Sequence, residues 1–157
     1  MVSRYRPRKI LGVGEQFARM KATFPHFRCW VKGGVLFAEG DIRPTARSAD
    51  YRVRIEYRAD EPPQVYVLSP KLEPREEGGR LPHVYPGDRL CLYLPGADEW
   101  TSEMSLAHTI VPWISEWLFF YETWRALGVW LGGGIEPAQQ KTIHKQEKEK
   151  PYEQKRD

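Results

Sequence analysis

The sequence predicts an α+β domain made of an N-terminal helix, a four-stranded antiparallel meander, a long irregular segment and a C-terminal helix. Three observations lead to this prediction. Apolar residues first recur at helical spacing and then alternate with polar residues over four short runs. A final apolar stretch is too long for a strand. The 157-residue length suits one domain, residues 1–139, followed by a charged mobile tail, residues 140–157.

The first helix is predicted over residues 11–24. Four apolar residues recur there at helical spacing: Val13, Phe17, Met20 and Phe24. Pro25 follows directly and ends the run. Because only one face of this helix is apolar, we expect that face to pack on another element.

Four strands are predicted to follow the helix. The runs "FRCWV", from Phe27, and "VLFAEGDI", from Val35, are separated by a Gly-Gly turn. In "YRVRIEY", from Tyr51, aromatic and β-branched residues alternate strictly with charged residues, and the turn "ADEPP" then leads to "QVYVL", from Gln64. Such strands form a meander with one polar face, so we expect a helix to cover the other face.

The segment from Ser69 to Glu99 is rich in proline, glycine and charge, and it contains one short apolar run from Leu90 to Leu94. A segment of this length without regular structure is usually functional or disordered in a small domain, and the apolar run favours function. Cys91 lies in that run, just after the turn "YPGD". It could be a small buried apolar residue or a nucleophile at the edge of a groove.

The last predicted helix runs from about Ile110 to Leu127. Thr109 is a suitable N-terminal cap and Gly128 a suitable C-terminal cap. Aromatic residues occur around nearly its whole circumference: Trp113, Trp117, Phe119, Phe120, Tyr121 and Trp124. A helix of this kind has to be covered on more than one side, either by the chain past Trp130 or by a partner.

Charge and composition argue against several functional classes. The net charge is only +3, and the tail supplies +2 of it with six Lys/Arg against four Asp/Glu. A short basic arm is predicted to be a solvated face, not a nucleic-acid contact: it comprises Arg4, Arg6, Arg8 and Lys9. No stretch is as long and apolar as a membrane span or a signal peptide, so we expect a cytoplasmic protein without a membrane partner.

No metal or cofactor is predicted, because the two cysteines and the histidines His26, His108 and His144 lack the spacing of metal ligands. Cys29 is in phase with its apolar neighbours Phe27 and Val31, which predicts a buried, unreactive thiol.

The order of elements and two strings, "EPPQVYVLSPKL" and "LPHVYPGDRLCL", resemble the ubiquitin-conjugating enzyme (UBC-like) family over roughly residues 14–128. In that family a proline turn precedes a His-Pro-Asn triplet and the catalytic cysteine. A tryptophan follows the cysteine, as Trp100 does here. The resemblance implies that Cys91 forms a thioester with an activated acyl group.

The same resemblance places His83 at the asparagine position and Leu81 at the histidine position of the triplet. His83 could donate an N–H to the oxyanion formed during transfer, or it could be a loop residue that bonds only to the backbone. The family's acidic residue near the acceptor lysine has no clear counterpart, and Glu122 and Asp98 are weak candidates.

The stretch "EWLFFYETWRALGVWLGGGIEP", from Glu116, resembles the stand-alone bacterial conjugating proteins of short anti-phage operons for cyclic-oligonucleotide signalling (CBASS). This resemblance implies a cGAS/DncV-like nucleotidyltransferase as the partner. The C-terminus of that partner would be linked through Cys91, which would prime second-messenger synthesis.

Three alternatives stay open from the sequence. One is a bacterial pathway with a ubiquitin-like protein as the modifier and a separate activating enzyme. Another is a catalytically inactive UBC-like binding module. The third is an unrelated α+β domain that binds nucleic acid through its arm and tail, and it predicts binding that weakens steeply as salt rises.

Overall fold

The structure, a computed structural model, describes residues 9–148, apart from the side chains of residues 144 and 146–148. Arg4, Arg6 and Arg8 of the basic arm lie outside this range. The elements are, in chain order, α1 (Val13–Thr23), β1 (Arg28–Lys32), β2 (Val35–Ile42), β3 (Tyr51–Arg58), β4 (Gln64–Ser69), β5 (Val84–Tyr85), β6 (Arg89–Leu90), α2 (Ile110–Leu127) and α3 (Pro137–Lys148). The predicted α+β class is confirmed. No helix in the described range is long and apolar enough to cross a membrane.

The strands form one antiparallel sheet of order β1-β2-β3-β4-β6-β5. The first four strands pair in chain order, which confirms the predicted meander. The short β5–β6 hairpin extends this sheet from within the segment that was predicted to be irregular. Its turn contains Gly87 and Asp88, whose φ angles of 84° and 60° lie in the left-handed region. A single residue pair, Tyr66 and Arg89, joins the hairpin to β4.

The two faces of the sheet follow the alternation in the sequence. On β3, the side chains of Tyr51, Val53, Ile55 and Tyr57 are buried in the core. On the opposite face, Arg52 pairs with Asp41 at 3.2 Å and Arg54 with Glu39 at 2.6 Å, each directly across from β2. These ion pairs are partly exposed and contribute little to stability.

Gly40 on β2 allows Phe27 to enter the core. A Cβ atom at this position would overlap three carbons of the Phe27 ring. Phe27 is 1% exposed and belongs to the same buried cluster as Met20 of α1. The glycine therefore provides the space in which an aromatic side chain packs between α1 and the sheet.

Helix α1 begins at Val13, two residues later than predicted, because Leu11 is held in an extended segment. The Leu11 N–H donates to the Ser102 carbonyl at 2.8 Å, and its own carbonyl accepts from the Tyr57 hydroxyl at 2.8 Å. Gln16, which is fully buried, links α1 to the segment before α2. Its amide donates to the Met104 carbonyl at 2.8 Å and accepts from the Leu106 N–H at 2.9 Å.

Helix α2 has the predicted bounds, and Gly128 ends it in the left-handed conformation with φ of 80°. Thr109 precedes the helix but does not cap it, since its hydroxyl donates to the Ser105 carbonyl at 2.7 Å. The chain after α2 folds back over the helix. The Trp130 ring lies 5.5 Å from that of Trp117 and 5.9 Å from that of Phe120. The expected covering by this stretch is confirmed on that side.

Helix α3 was not predicted. It begins at Pro137 and crosses the proposed boundary between residues 139 and 140. Gln140, the first residue of the predicted tail, is 6% exposed and packs on the domain. Residues 149–157 lie outside the described range, so the mobility of the tail stays a prediction.

Candidate active site

Cys91 lies one residue past β6, where the β5–β6 hairpin returns to the body of the domain. Its backbone N–H donates to the carbonyl of His83 at 2.9 Å. The same carbonyl accepts from the indole N–H of Trp117 on α2 at 3.2 Å. The hairpin and α2 therefore share one backbone oxygen, which fixes the position of Cys91 relative to the aromatic helix.

Three side chains form a closed ring of hydrogen bonds at the sulfur. The Cys91 thiol donates to the Tyr85 hydroxyl at 3.5 Å, and that hydroxyl donates to Oε1 of Gln140 at 3.0 Å. Nε2 of Gln140 donates back to Sγ of Cys91 at 3.4 Å. The Tyr93 carbonyl is also 3.7 Å from Sγ. The sulfur thus has both acceptors for its proton and a fixed donor.

His83 is buried, and both its backbone and its ring have partners. Its φ angle of 51° is in the left-handed region, which histidine adopts more readily than most residues. The Glu136 carboxylate accepts from the His83 backbone N–H at 3.0 Å and lies 3.3 Å from Nε2 of the ring. The Trp130 ring stacks on the imidazole with centroids 4.7 Å apart.

Burial affects the titration of three groups around the sulfur. Burial lowers the pKa of His83, and the Glu136 carboxylate opposes this change without reversing it. Burial, together with Cys91 as a neighbour, raises the pKa of Tyr85 well above its ordinary value. Burial also raises the pKa of Tyr93 to about 12. At neutral pH, His83 is therefore an uncharged ring and both tyrosines keep their protons.

A cavity of about 340 Å³ opens beside Cys91 and His83. One wall is the aromatic face of α2 with Trp130, and another is the glycine stretch 132–134. Two exposed carboxylates, Glu99 and Glu116, lie at its border. Within the described residues, no group of three or more His, Cys, Asp or Glu side chains could hold a metal ion.

Residues 16–137 match the family model described as Type II CBASS E2 protein. This match covers more than three quarters of the chain and includes the hairpin, Cys91 and α2. The chain belongs to the Type II CBASS E2 family. E2 denotes a protein of the ubiquitin-conjugating type, in agreement with the UBC-like arrangement of the helices and the sheet. A search of curated proteins found no match.

In this CBASS E2-like protein, Cys29 is more exposed than predicted, and Cys91 is both buried and at the edge of a cavity. Cys91, expected at the edge of a groove, is only 7% exposed, although it lines the cavity. Cys29, expected to be buried, is half-buried. Cys91 is buried because Gln140 of α3, a helix that was not predicted, covers its sulfur. Cys29 is only half-buried because it lies on β1, an edge strand with a neighbour on one side only.

The two predicted site residues, Cys91 and His83, lie together, whereas the two acidic candidates lie elsewhere. Glu122 accepts hydrogen bonds from the hydroxyls of Ser48 and Tyr51 at 2.6 and 2.9 Å. It therefore belongs to a separate polar cluster between α2 and the start of β3. Asp98 is exposed and does not line the cavity.

Sequence reasoning missed Tyr85, Glu136 and Gln140 as members of the site. Tyr85 precedes the turn before Cys91, and its proximity to the cysteine in the chain was an available signal. Glu136 and Gln140 gave no signal, because the stretch after Gly134 has no regular apolar pattern. These two residues are recognisable only once α3 is seen against the hairpin.

Proposed function

We propose that this CBASS E2 is an acyl transferase in which Cys91 is the nucleophile. The acyl group is the C-terminus of a cGAS/DncV-like nucleotidyltransferase, and its conjugation primes anti-phage signalling. The observation that carries the proposal is the position of Cys91 at the aromatic cavity beside α2. Membership of the E2 family supports the same chemistry at a coarser level.

The proposed reaction has two steps. In the first, the Cys91 thiolate attacks the carbonyl carbon of an activated C-terminus, either an acyl adenylate or a thioester. A sulfur–carbon bond forms, the bond to the leaving group breaks, and the thiol proton passes to water. In the second, an amine attacks the new thioester, the sulfur–carbon bond breaks, and the amine proton passes to solvent. Because the donor is already activated, a modestly reactive thiol suffices.

The cavity provides room for the end of the donor chain. Its volume of about 340 Å³ is at the small end of the range of ligand pockets. The aromatic wall would pack against apolar parts of the donor, and Gly133, where an added Cβ atom would meet nothing within 4 Å, leaves room for its backbone. We infer that the last residues of the nucleotidyltransferase tail bind there.

His83 supports the proposed site through its backbone. Its carbonyl orients Cys91 and Trp117, and its imidazole contacts Glu136 and Trp130. These contacts favour a positioning role in the loop. Donation to the oxyanion stays a prediction, and the experiment below separates the two roles.

The test is co-expression of the protein with the nucleotidyltransferase, followed by gels with and without reductant. Cys91→Ser should abolish the thiol-sensitive adduct while the fold stays intact, since serine is nearly isosteric with cysteine. Cys29→Ser is the matched control and should leave the adduct unchanged. An adduct that persists unchanged in Cys91→Ser would rule out this mechanism.

His83→Ala belongs in the same experiment. If the ring donates to the oxyanion, the adduct should still load but transfer should slow by about a hundredfold, the smaller loss typical of a missing oxyanion donor. Normal transfer by folded His83→Ala would leave His83 as a positioning residue of the loop.

A further inference from the structure

Helix α3 carries one glutamine into the site while its neighbours face solvent. Gln139 and Lys141 are exposed, whereas Gln140 is 6% exposed. A glutamine side chain is costly to bury unless each of its polar atoms has a partner. Here both polar atoms of the amide are paired, and one of the partners is the sulfur of Cys91.

The orientation of the Gln140 amide follows from its other contacts. Nε2 lies 2.8 Å from the Ile135 carbonyl, which can only accept a hydrogen bond. This carbonyl therefore fixes which end of the amide carries the N–H groups. The second N–H points at Sγ of Cys91 at 3.4 Å, and Oε1 is left to accept from Tyr85. The donor at the sulfur is thus set by the backbone of the preceding loop.

This donor acts differently on the two forms of the cysteine. A buried sulfur loses solvation when it ionises, which disfavours the thiolate. A hydrogen bond to an ionised acceptor is stronger than one to a neutral acceptor, so the Gln140 N–H favours the thiolate. The Tyr85 hydroxyl, no longer receiving the thiol proton, can turn from Gln140 and donate to the sulfur as well.

We propose that Gln140 is a catalytic residue, whose side-chain N–H stabilises the thiolate of Cys91 in the position where the acyl group is attacked. Its catalytic role depends on the function proposed above, in which Cys91 is the nucleophile. The hydrogen bond itself does not depend on that function and is measurable on the isolated protein.

The test is the rate of alkylation of Cys91 by iodoacetamide from pH 6 to pH 11, read by peptide mass on the folded full-length protein. Gln140→Met keeps the length of the side chain but has no N–H. The midpoint of the pH profile for Cys91 should rise by about one unit, equivalent to about a tenfold loss of thiolate at neutral pH. Gln139→Met, one residue away and exposed, should leave the midpoint unchanged. Cys29 in the same samples is an internal control.

A second variant covers the case in which methionine disturbs α3. Gln140→Glu keeps the shape of the side chain and the acceptor for Tyr85, but it places a negative charge near the sulfur. Its midpoint should rise at least as far as that of Gln140→Met. Unchanged midpoints with faster alkylation at high pH in both variants would mean that Gln140 merely covers Cys91, and the proposal would be overturned.

Adduct formation with the nucleotidyltransferase separates this proposal from the one on which it rests. If Cys91→Ser abolishes the adduct and Gln140→Met forms it about tenfold more slowly at pH 7, both are supported. If the adduct persists in Cys91→Ser, the proposed function fails and Gln140 has no catalytic role, even where the thiol midpoint has shifted. If only Cys91→Ser affects the adduct and the midpoint does not move, the Gln140 proposal alone fails.

Discussion

His83 combines a left-handed backbone, burial and a neutral ring in one position. Asparagine tolerates the same backbone region, which alanine adopts only at a cost of roughly 1–2 kcal/mol. The imidazole also stacks on Trp130 and contacts Glu136, so the side chain links the hairpin to the segment that precedes α3. His83, which the sequence suggested as an oxyanion donor, connects the hairpin to the segment between α2 and α3 in the structure.

The lowered pKa of His83 predicts a pH-dependent loss of stability. In the unfolded chain His83 takes up a proton as the pH falls through about 6.5, whereas the folded protein keeps the ring neutral until a lower pH. Protonation therefore favours the unfolded state, and stability declines as the pH falls below about 6.5. His83→Asn removes this contribution.

Urea denaturation at several pH values between 7.5 and 5 checks this expectation. The difference in unfolding free energy between the wild-type protein and His83→Asn should shrink or change sign as the pH falls. A constant difference for His83→Asn would show that the ring titrates alike in both states.

Gly40 of β2 packs directly against the ring of Phe27, the residue before β1. Gly40→Ala would push a methyl group into the Phe27 ring, so the ring or β2 would have to shift. Overpacking of this kind costs about 1–3 kcal/mol. The control is Gly14→Ala, in the first turn of α1, where an added Cβ atom meets no atom within 4 Å and should stabilise the protein by roughly 0.4–1 kcal/mol. Opposite shifts of the urea midpoint are expected, and equal shifts would contradict the packing argument.

The elements differ in how far the sequence determines them. Strand β3 was predictable, because strict alternation from Tyr51 to Tyr57 leaves one apolar face that must be buried. Helix α2 was predictable from its length and from Gly128. The β5–β6 hairpin and α3 were not, because two-residue strands and a polar helix have little stability alone. The hairpin is stabilised by pairing with β4, and α3 is stabilised by its contact with the loop around Cys91.

The distinction between local patterns and tertiary contacts also explains which residues of the candidate site could be predicted. Cys91 and His83 could be found because their spacing along one loop follows a known pattern. Gln140 is 49 residues from Cys91, and its contact depends on how a helix without an apolar face docks. That docking has no signature in the sequence, so the cover that Gln140 provides over the sulfur of Cys91 could not be predicted.

The first turns of α3 pack on the folded domain, so two truncations of the C-terminal region should differ in their effect on stability. Removing residues 149–157 should leave the melting temperature nearly unchanged, since that stretch contains only one aromatic residue and otherwise polar side chains or proline. Removing residues 140–157 uncovers Tyr85 and Cys91 and should cost about 1–2 kcal/mol, or roughly 3–6 °C. Equal melting temperatures for both truncated proteins would show that α3 adds no stability.

The β5–β6 hairpin shares only one residue pair with β4, so within the sheet it is held less firmly than the four strands of the meander. We expect the meander to open only when the whole domain unfolds, because its strands share long registers with one another. A local opening of the hairpin would break the pair with β4, the packing of Leu90 in the core and the hydrogen bonds to Trp117 and Gln140, and it would take Cys91 with it. Native-state hydrogen exchange should therefore show the amide of Cys91 exchanging through a local opening, well before the amides of Ile55 and Val53. Equal protection of these amides would mean that Cys91 is held as firmly as the core. Local opening of the hairpin would give a partner's chain access to Cys91 while the meander stays folded.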